Sequence, residues 1–402
     1  MELVTIMKIG YFNTFFPYKN PLTDEILVEK ECGGGVENVA YNLTVKMMEL
    51  GHEIYFFSSA INRTESIEKY QKITIYRYKK SFNIGRSPVS FDFLYKPLQL
   101  KINPDIIHAH LGNLPAPLTA YWFAKKKNKP FIITYHGDHI GQFGDPLRRT
   151  GVFLHRLCFA DFLLSKADVI IALSEYNVNE SKYLKKYREK ITVIPNGINL
   201  EEFNIPLSKE EARKQLDIPL DKKIILFVGN LIQIKAPDVL IDAMKKIVKE
   251  IPESHLIFVG DGVIRSQLEI QIKKLGIETY VTFVGSVIDT YKKVLYYKAA
   301  DVFVLPSFSE GFPIVLLEAS ACGLPLVVSG LESFRSIVRE NYNGLFSKTG
   351  DQDDLANKII FLLQNEDVIK KYGKNAKEKV KTFTWNRIAK ETEKLYFDII
   401  GN

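Results

Sequence analysis

The sequence has few cysteines and no long apolar run, and both absences exclude classes of protein. Its three cysteines, Cys32, Cys158 and Cys322, lie far apart and form no Cys-x-x-Cys pair or Cys/His cluster. Neither a disulfide framework nor a zinc site is therefore expected. No stretch reaches the about 18 apolar residues of a membrane-spanning helix. The N-terminus lacks a basic segment followed by an apolar core, so we expect no signal peptide and a cytoplasmic location.

The size and charge of the chain favour two domains with different partners. A length of 402 residues exceeds one ordinary core and predicts two domains of about 200 residues each. The net charge of +7 is uneven: residues 1–200 hold 26 basic and 19 acidic side chains, and residues 201–402 hold 28 of each. An excess confined to the first half favours an anionic partner there, although a modest excess is often only a solvated surface.

Short apolar runs alternate with amphipathic stretches, which is typical of parallel sheets covered by helices on both faces. In the first half the pattern predicts helices over Val36–Leu50 and Pro117–Lys127 and strands over Lys8–Phe12, Glu53–Ser58, Ile106–His110, Phe131–Tyr135, Val169–Leu173 and Thr192–Pro195. After Pro195-Asn196-Gly197 it restarts, with strands over Ile224–Gly229, His255–Gly260, Val281–Gly285, Val302–Leu305 and Leu326–Ser329. We therefore predict an α/β fold with domains at residues 1–199 and 200–384. A final helix follows the expected N-cap Thr384.

Ligands of doubly wound sheets bind beyond the carboxyl ends of the strands, so the residues after each strand are the candidates. In the first half, the run Gly33-Gly34-Gly35-Val36-Glu37 enters a helix and suits close backbone approach to an anion, or is only a loop. It is not a G-x-G-x-x-G fingerprint, which argues against a nicotinamide dehydrogenase.

Histidines follow two predicted strands of the first half. His136, with Gly137 and Asp138 after it, can donate to a hydroxyl or a developing charge. His108 and His110 flank another strand end. One is expected to face the cleft and the other the sheet, so at least one is structural.

The second half carries the strongest signal. Lys235 follows a strand after Asn230 and can clamp a diphosphate, or is only a solvent-exposed lysine. The segment Glu310-Gly311-Phe312-Pro313-Ile314-Val315 opens a helix that contains Glu318. We place Pro313 in the first helical turn, where its missing N–H costs nothing. The free amides of Ile314 and Val315 suit a phosphate, Glu310 can accept from sugar hydroxyls, and Glu318 would be costly to bury without a partner such as two ribose hydroxyls.

The Glu310-x7-Glu318 segment resembles the signature of the retaining family 4 glycosyltransferases, which have the GT-B fold. The resemblance covers nearly the whole chain. It includes Gly34 to Glu37, His136-Gly137, Pro195-Asn196-Gly197, Lys235, Gly260-Asp261-Gly262 and the final Phe383–Trp385 helix. It implies two Rossmann-like domains that face each other across an interdomain cleft, with the C-terminal helix, about residues 385–402, crossing back to the N-terminal domain.

The resemblance also implies roles for single residues. Glu310 would bind hydroxyls of the transferred sugar, Glu318 the nucleotide ribose, and Lys235 the diphosphate. The Ile314 and Val315 amides would assist Lys235 in binding the diphosphate. Gly34 and Gly35 would approach the donor from the other domain. His136 would lie by the donor sugar. The candidate donor-binding set is completed by Asn230, Arg265, Val287, Gly311, Phe312 and Pro313, and the acceptor-side candidates are Glu37, His110 and Asp138.

One position departs from the family pattern. Family members often have Arg directly after the glycine at position 229, where this chain has Asn230. The diphosphate would then depend on Lys235 and helix amides alone, or on another basic residue such as Arg265. No DxD metal motif follows a strand, and Asp351, Asp353 and Asp354 are interpreted as a helix start. We therefore expect no metal or other cofactor, with leaving-group charge neutralised by Lys235 and amide dipoles.

Alternatives remain open from the residues alone. A sugar-nucleotide epimerase needs further paired acids, a phosphorylase needs a pyridoxal lysine, and no convincing candidates for either are present. A non-catalytic sugar-nucleotide-binding subunit is the alternative outside enzymes. The presence of Glu310, Glu318, Lys235 and His136 together argues against it. Such a subunit would release no free sugar from the donor.

The acceptor is expected on the basic N-terminal half, as in similar enzymes. That half mixes lysines with aromatic and apolar residues over Phe91–Lys96, Trp122–Lys129 (with Lys125, Lys126, Lys127 and Lys129), Arg148-Arg149 and Phe153-Leu154. Basic and apolar side chains together bind anionic bilayers. The hypothesis is peripheral docking on the inner face of the cell membrane and a lipid-linked or cell-surface glycan acceptor. The simpler alternative to membrane docking is that Phe93 and Trp122 face the core and that the lysines are only solvated. No nucleic-acid-binding motif appears.

Overall fold

The computed structural model describes residues 5–18, 20–23, 35–61, 64–84, 87–112, 114–138 and 159–401. The chain divides into two compact units, one of Met1–Gly197 with Trp385–Asn402 and one of Ile198–Thr384. The last residues therefore belong to the same unit as the first half of the chain. Within the described residues, no helix has the length and apolar character needed to cross a membrane.

The first unit contains an eight-stranded sheet in the order β10-β9-β8-β7-β1-β2-β4-β3. All neighbouring strands pair in parallel except β3, which runs antiparallel to β4 at the edge. Strands β5 and β6 form a separate two-stranded sheet. The strands are β1 Lys8–Phe12, β2 Glu53–Ser59, β3 Ser66–Tyr70, β4 Ile73–Tyr78, β5 Phe82–Ile84, β6 Ser87–Val89, β7 Ile106–Leu111, β8 Phe131–Tyr135, β9 Val169–Ala172 and β10 Ile191–Val193.

Helices of the first unit cover this sheet and complete its core. They are α1 Gly35–Glu49, α2 Asp92–Tyr95, α3 Ala116–Lys127, α4 Asp161–Lys166 and α5 Glu175–Glu180, with 3-10 turns at Pro97–Gln99 and Leu184–Lys190. Aromatic rings fill the space between sheet and helices: the Phe12 and Phe57 rings stack at 4.3 Å, and the Phe123 ring of α3 lies 5.5 Å from that of Phe12. Phe93 of α2 is fully buried in the same cluster, so its proposed exposure to a membrane is wrong.

The second unit contains a six-stranded, fully parallel sheet in the order β13-β12-β11-β14-β15-β16. Its strands are β11 Lys223–Val228, β12 Ser254–Val259, β13 Val281–Gly285, β14 Val302–Leu305, β15 Leu326–Ser329 and β16 Gly344–Ser347. Its helices are α6 Leu200–Phe203, α7 Lys209–Gln215, α8 Pro237–Glu250, α9 Arg265–Leu275, α10 Thr290–Ala299, α11 Ile314–Ala321, α12 Gln352–Gln364 and α13 Glu366–Val380, with 3-10 turns at Gln233–Lys235, Glu278–Tyr280, Glu332–Ser336 and Lys381–Phe383.

Strand order reverses once in each sheet, between β1 and β7 in the first unit and between β11 and β14 in the second. Such reversals leave a crevice beyond the carboxyl ends of the two strands, where α/β folds bind their ligands. In the second unit the loops after β11 and β12 approach so closely that a Cβ on Gly260 would lie 2.0 Å from the Gly229 carbonyl oxygen. Gly260 also has φ +142°, so only glycine fits there.

The last helix, α14 Trp385–Ile400, packs on the first unit against α1. The Met7 amide donates to Nδ1 of the buried His52, and Nε2 of that ring donates to Glu393 Oε1 at 2.9 Å. The buried Tyr396 hydroxyl bonds the Tyr11 hydroxyl at 3.0 Å. A Cβ on Gly197 would lie 2.6 Å from the Trp385 ring. These long-range contacts explain why the segment that starts at Trp385 belongs to the first unit.

Every strand predicted from the sequence is present, and no end shifts by more than two residues. The aspartate cluster is also confirmed as a helix start, because the Asp351 side chain accepts from the Asp353 and Asp354 amides at 3.1 and 2.9 Å. The placement of Pro313 is wrong: α11 begins at Ile314, and Pro313 is its N-cap with an extended conformation, ψ 105°. A proline ring tolerates both positions, because neither needs its N–H.

Candidate functional site

Two charged side chains meet where strand order reverses in the second unit. Lys235 ends the 3-10 turn after β11, and Glu310 lies in the loop between β14 and α11. The Lys235 ammonium donates to Glu310 Oε1, and Ser307 Oγ donates to the same oxygen at 2.8 Å. The Phe308 amide also donates to the Ile234 carbonyl at 2.8 Å. The strand-end loops are thus joined, and they present one ammonium and one carboxylate together.

Glu318 lies in the second turn of α11 and is buried. Its Oε1 accepts from the Lys293 ammonium at 2.8 Å, and its Oε2 accepts from the Tyr297 hydroxyl at 2.6 Å. Burial, and then the carboxylate itself, raise the pKa of Tyr297 well above its ordinary value, so the phenol stays a donor. The predicted need for a partner is met, because two donors from α10 hold this carboxylate in one orientation.

The N-terminus of α11 lies between these two carboxylates in the sequence. Its first amides, on Ile314 and Val315, have no acceptor inside the helix, because the intrahelical pattern starts later. Phe312 is buried, and its ring lies 5.8 Å from that of Phe383. The Leu316 amide donates to the Pro313 carbonyl at 3.0 Å. The helix therefore offers amide N–H groups and the positive end of its dipole beside Gly311.

Asn230 and Arg265 occupy different surroundings at the same edge of the sheet. Asn230 is exposed directly after Gly229. Arg265 donates through Nε to Glu269 at 2.9 Å, lies 3.9 Å from an Asp261 oxygen and packs 5.4 Å from the Phe283 ring. Arg265 thus has two carboxylates beside it and follows β12, whereas Lys235 has one and follows β11, at the reversal. Val287 is half-buried in the loop after β13.

In the first unit, three histidines form a stack. The His108 and His110 rings are 5.1 Å apart, and the His110 and His136 rings are also 5.1 Å apart. His110 Nδ1 lies 2.8 Å from His136 Nε2. The expectation that His108 and His110 point in different directions is wrong, because residues two apart on a strand share one face. Both are buried on that face of β7.

The remaining acceptor-side candidates, Asp138 and Glu37, lie just after β8 and at the start of α1. Asp138 accepts from the Tyr135 and Ser181 hydroxyls, the latter at 2.7 Å, and from the Lys182 amide at 3.4 Å. These bonds fasten the end of β8 to the segment that follows α5. Glu37 is in the first turn of α1, which begins at Gly35. Gly34 lies outside the described residues, as do Arg148-Arg149 and Phe153-Leu154.

No three His, Cys, Asp or Glu side chains in the described part of the chain are grouped as metal ligands would be. The second unit instead brings a cation, helix amides and two carboxylates to one sheet edge. That combination suits a ligand with an anionic group and several hydroxyls. Sequence reasoning missed Ser307, Lys293 and Tyr297. The spacing of Lys293 and Tyr297 puts both on one helix face, but nothing local shows that this face meets Glu318.

Comparison with known proteins gives concordant results for both units. Residues 33–202 match the profile described as Glycosyltransferase Family 4, and residues 208–379 match that of Glycosyl transferases group 1. An uncharacterized glycosyltransferase of Methanocaldococcus jannaschii is 33% identical over 300 residues, which are 73% of this chain and 75% of that protein.

Solved structures show the same fold. Sucrose-phosphate synthase from Thermosynechococcus elongatus superposes with a TM-score of 0.77 at 23% identity, covering 98% of this chain and 99% of that one. Anabaena HepE in complex with UDP and glucose superposes with a TM-score of 0.72 at 19% identity, covering 97% and 99%. Both similarities extend over whole chains.

Proposed function

Because the chain belongs to the family 4 glycosyltransferases, which have the GT-B fold, we propose that it transfers a hexose from a nucleoside-diphosphate sugar to a hydroxyl acceptor, with retention and without a metal ion. The observation that carries this proposal is the pairing of Lys235 with Glu310 beside the N-terminus of α11. One cation and two amides that have no acceptor inside their own helix suit a diphosphate, and the adjacent carboxylate suits the hydroxyls of the attached sugar. The complex of HepE with UDP and glucose supports the donor class.

Each donor group has a proposed partner in the second unit. Lys235 and the amides of Ile314 and Val315 hold the diphosphate, Glu310 accepts from sugar hydroxyls, and Glu318 accepts from the ribose. Since Lys235 is paired with Glu310 in the free protein, the diphosphate must draw the ammonium away. Glu310 is then available to the sugar. His136 of the first unit donates to the transferred sugar.

The proposed chemistry is a front-face displacement. The bond between the sugar C1 and the phosphate oxygen breaks, and the acceptor oxygen bonds to C1 on the same face. The acceptor proton passes to the departing phosphate, whose growing negative charge is stabilised by Lys235 and the helix amides. No side chain forms a covalent intermediate in this scheme, so the product keeps the anomeric configuration of the donor.

Product stereochemistry tests this function. The enzyme is incubated in EDTA with a nucleotide sugar that it binds and with an alkyl glycoside acceptor, and the anomeric coupling of the new glycoside is read by proton NMR. We expect an α-linked donor to give an α-linked product. A product of inverted configuration would remove retention from the proposal, and transfer that requires an added divalent ion would remove metal independence.

For the acceptor, we infer a glycan or lipid at an anionic membrane surface, to which the first unit binds peripherally. Four aromatic side chains, Phe91, Tyr95, Trp122 and Phe162, are 39% to 58% exposed on the packed helices α2, α3 and α4 or directly beside them. Lys125, Lys126 and Lys166 are exposed among them, and Tyr121 links α3 to α4 through an edge contact with Phe162 at 5.4 Å. Lys127 does not contribute, because its ammonium donates to the Leu100 carbonyl at 3.0 Å.

Liposome co-sedimentation tests this surface. With vesicles of phosphatidylcholine and phosphatidylglycerol at low salt, Lys125→Ser/Lys126→Ser should weaken binding about thirtyfold, since each lysine contributes about 1 kcal/mol. Binding of the unmodified protein should fall as salt rises. Lys370→Ser/Lys371→Ser, a matched exposed pair on α13 of the second unit, should bind like the unmodified protein. If the unmodified protein stays in the supernatant at low salt, a dissolved acceptor replaces the membrane-linked one.

A further inference from the structure

The histidine stack has an internal order that the donor site does not explain. His108 is at its buried end: Nδ1 bonds the Tyr396 hydroxyl, and Nε2 bonds Thr134 Oγ1 at 2.7 Å. His136 is at the other end, directly after β8. His110 lies between them, stacked on both rings, and among the described residues its hydrogen-bond partner is His136. Its position makes it the residue that fixes how His136 is presented.

Burial determines the protonation state of His110. Desolvation lowers the pKa of His110 well below its ordinary value, and the neighbouring His108 and His136 lower it further. Burial likewise lowers the pKa of His108 to about 3. His110 is therefore a neutral ring with one N–H at physiological pH. That proton is on either Nδ1 or Nε2, and the two choices leave different groups unsatisfied.

The surroundings of the two nitrogens favour the proton on Nδ1. Nδ1 faces His136 Nε2 at 2.8 Å, whereas Nε2 is buried with no hydrogen-bond partner within the described residues. A proton on Nε2 would leave a buried donor unpaired, which costs more than an unpaired acceptor and is correspondingly rarer in native structures. With the proton on Nδ1, His110 donates to His136 Nε2. A neutral His136 must then carry its own proton on Nδ1.

We propose that His110 is a positioning residue that holds His136 as the Nδ1–H tautomer, so that Nδ1–H is the group His136 offers to the transferred sugar. This inference rests on the proposed function, in which His136 donates to that sugar. His110 itself touches no substrate. It acts by fixing the tautomer and ring orientation of His136, and the buried His108 supports its ring from behind.

The tautomer can be read without any activity. Two-bond proton–nitrogen NMR at about pH 8, where imidazoles are mostly neutral, distinguishes protonated from unprotonated ring nitrogens. The chain has seven histidines, and His136→Asn assigns the His136 signals by their loss. We expect His136 in the free protein to show a protonated Nδ1 and an unprotonated Nε2. A protonated Nε2 would overturn the inference whatever the activity of the enzyme.

Kinetics of paired variants provide the functional arm. His110→Asn puts an amide N–H near the place of Nδ1, whereas His110→Phe keeps the ring and removes the donor. We expect His110→Phe to lower kcat about tenfold to a hundredfold with the donor KM within about twofold, and His110→Asn to recover most of that loss. Both variants are first checked by thermal melting, because His110 is buried.

A double-mutant cycle separates this inference from the proposed role of His136. In a His136→Ala background, His110→Phe should cause no further loss, since its effect acts through His136. The positioning role would be overturned if the kcat losses of the two single variants multiplied in the double variant. A normal kcat for His110→Phe alone would also overturn it. A normal kcat for His136→Ala would instead refute the proposed function of His136, and the NMR arm would still decide its tautomer.

Discussion

Glu310→Gln is expected to lower turnover of the nucleotide-sugar donor about a hundredfold to a thousandfold. The amide keeps the shape of the side chain and an oxygen for the Ser307 hydroxyl, which now donates at 2.8 Å. The amide has no negative charge. In our proposal the charge of Glu310 strengthens its hydrogen bonds from the sugar hydroxyls as positive charge develops at C1. The loss should appear in kcat, because the interaction strengthens in the transition state.

The same variant should bind the free nucleoside diphosphate at least as tightly as the unmodified enzyme. Glu310 competes with the diphosphate for the Lys235 ammonium, and an amide competes less. Steady-state kinetics and calorimetry measure the two effects separately. Glu378→Gln, an exposed glutamate paired with Lys381 at 2.8 Å, is the matched control and should leave both unchanged. Near-normal turnover in Glu310→Gln would refute the assignment of Glu310.

Lys235→Ala should weaken binding of the nucleoside diphosphate about tenfold to a hundredfold, because a charge-assisted hydrogen bond contributes about 1.5–3 kcal/mol. The expected effect is large because little else can replace this ammonium. Asn230 is uncharged, and the Arg265 guanidinium is already paired with Glu269 and close to Asp261. Asn230→Arg should strengthen binding if the family's second cation can be restored there.

The sequence was sufficient to predict the strands that are buried on both faces. Runs such as Phe131–Tyr135 and Val302–Leu305 are continuous apolar segments, and both are found with unchanged ends. The edge strand Ser66–Tyr70 and its neighbour Ile73–Tyr78 were missed because charged residues interrupt them. One of these charges, on Arg77, is fully buried, and Glu68 and the Phe16 carbonyl each accept from it at 2.7 Å. Phe16 lies 61 residues from Arg77, so no local sequence pattern predicts this contact.

The candidate site could likewise be predicted from the sequence only in part. The positions of Lys235 and Glu310 followed from strand ends, because carboxyl ends of parallel strands meet at one edge. The donors to Glu318 did not, since Lys293 and Tyr297 lie 25 and 21 residues away and reach it only after α10 packs. The pairing of His110 with His136 also depends on the register of β7 with β8, in which His110 lies opposite Thr134. Spacing alone cannot give that register.

Calorimetric titration of nucleoside diphosphates in EDTA tests most directly whether the second unit holds the donor through Lys235. UDP, GDP, ADP and dTDP are titrated into the unmodified enzyme, Lys235→Ala and the control Lys249→Ala, which removes an exposed lysine from the far end of α8. We predict one-to-one binding of at least one ribonucleotide without metal, weakened about tenfold to a hundredfold by Lys235→Ala and unchanged by Lys249→Ala. Equal affinity of Lys235→Ala and the unmodified enzyme, or binding only after a divalent ion is added, would contradict the proposed donor site.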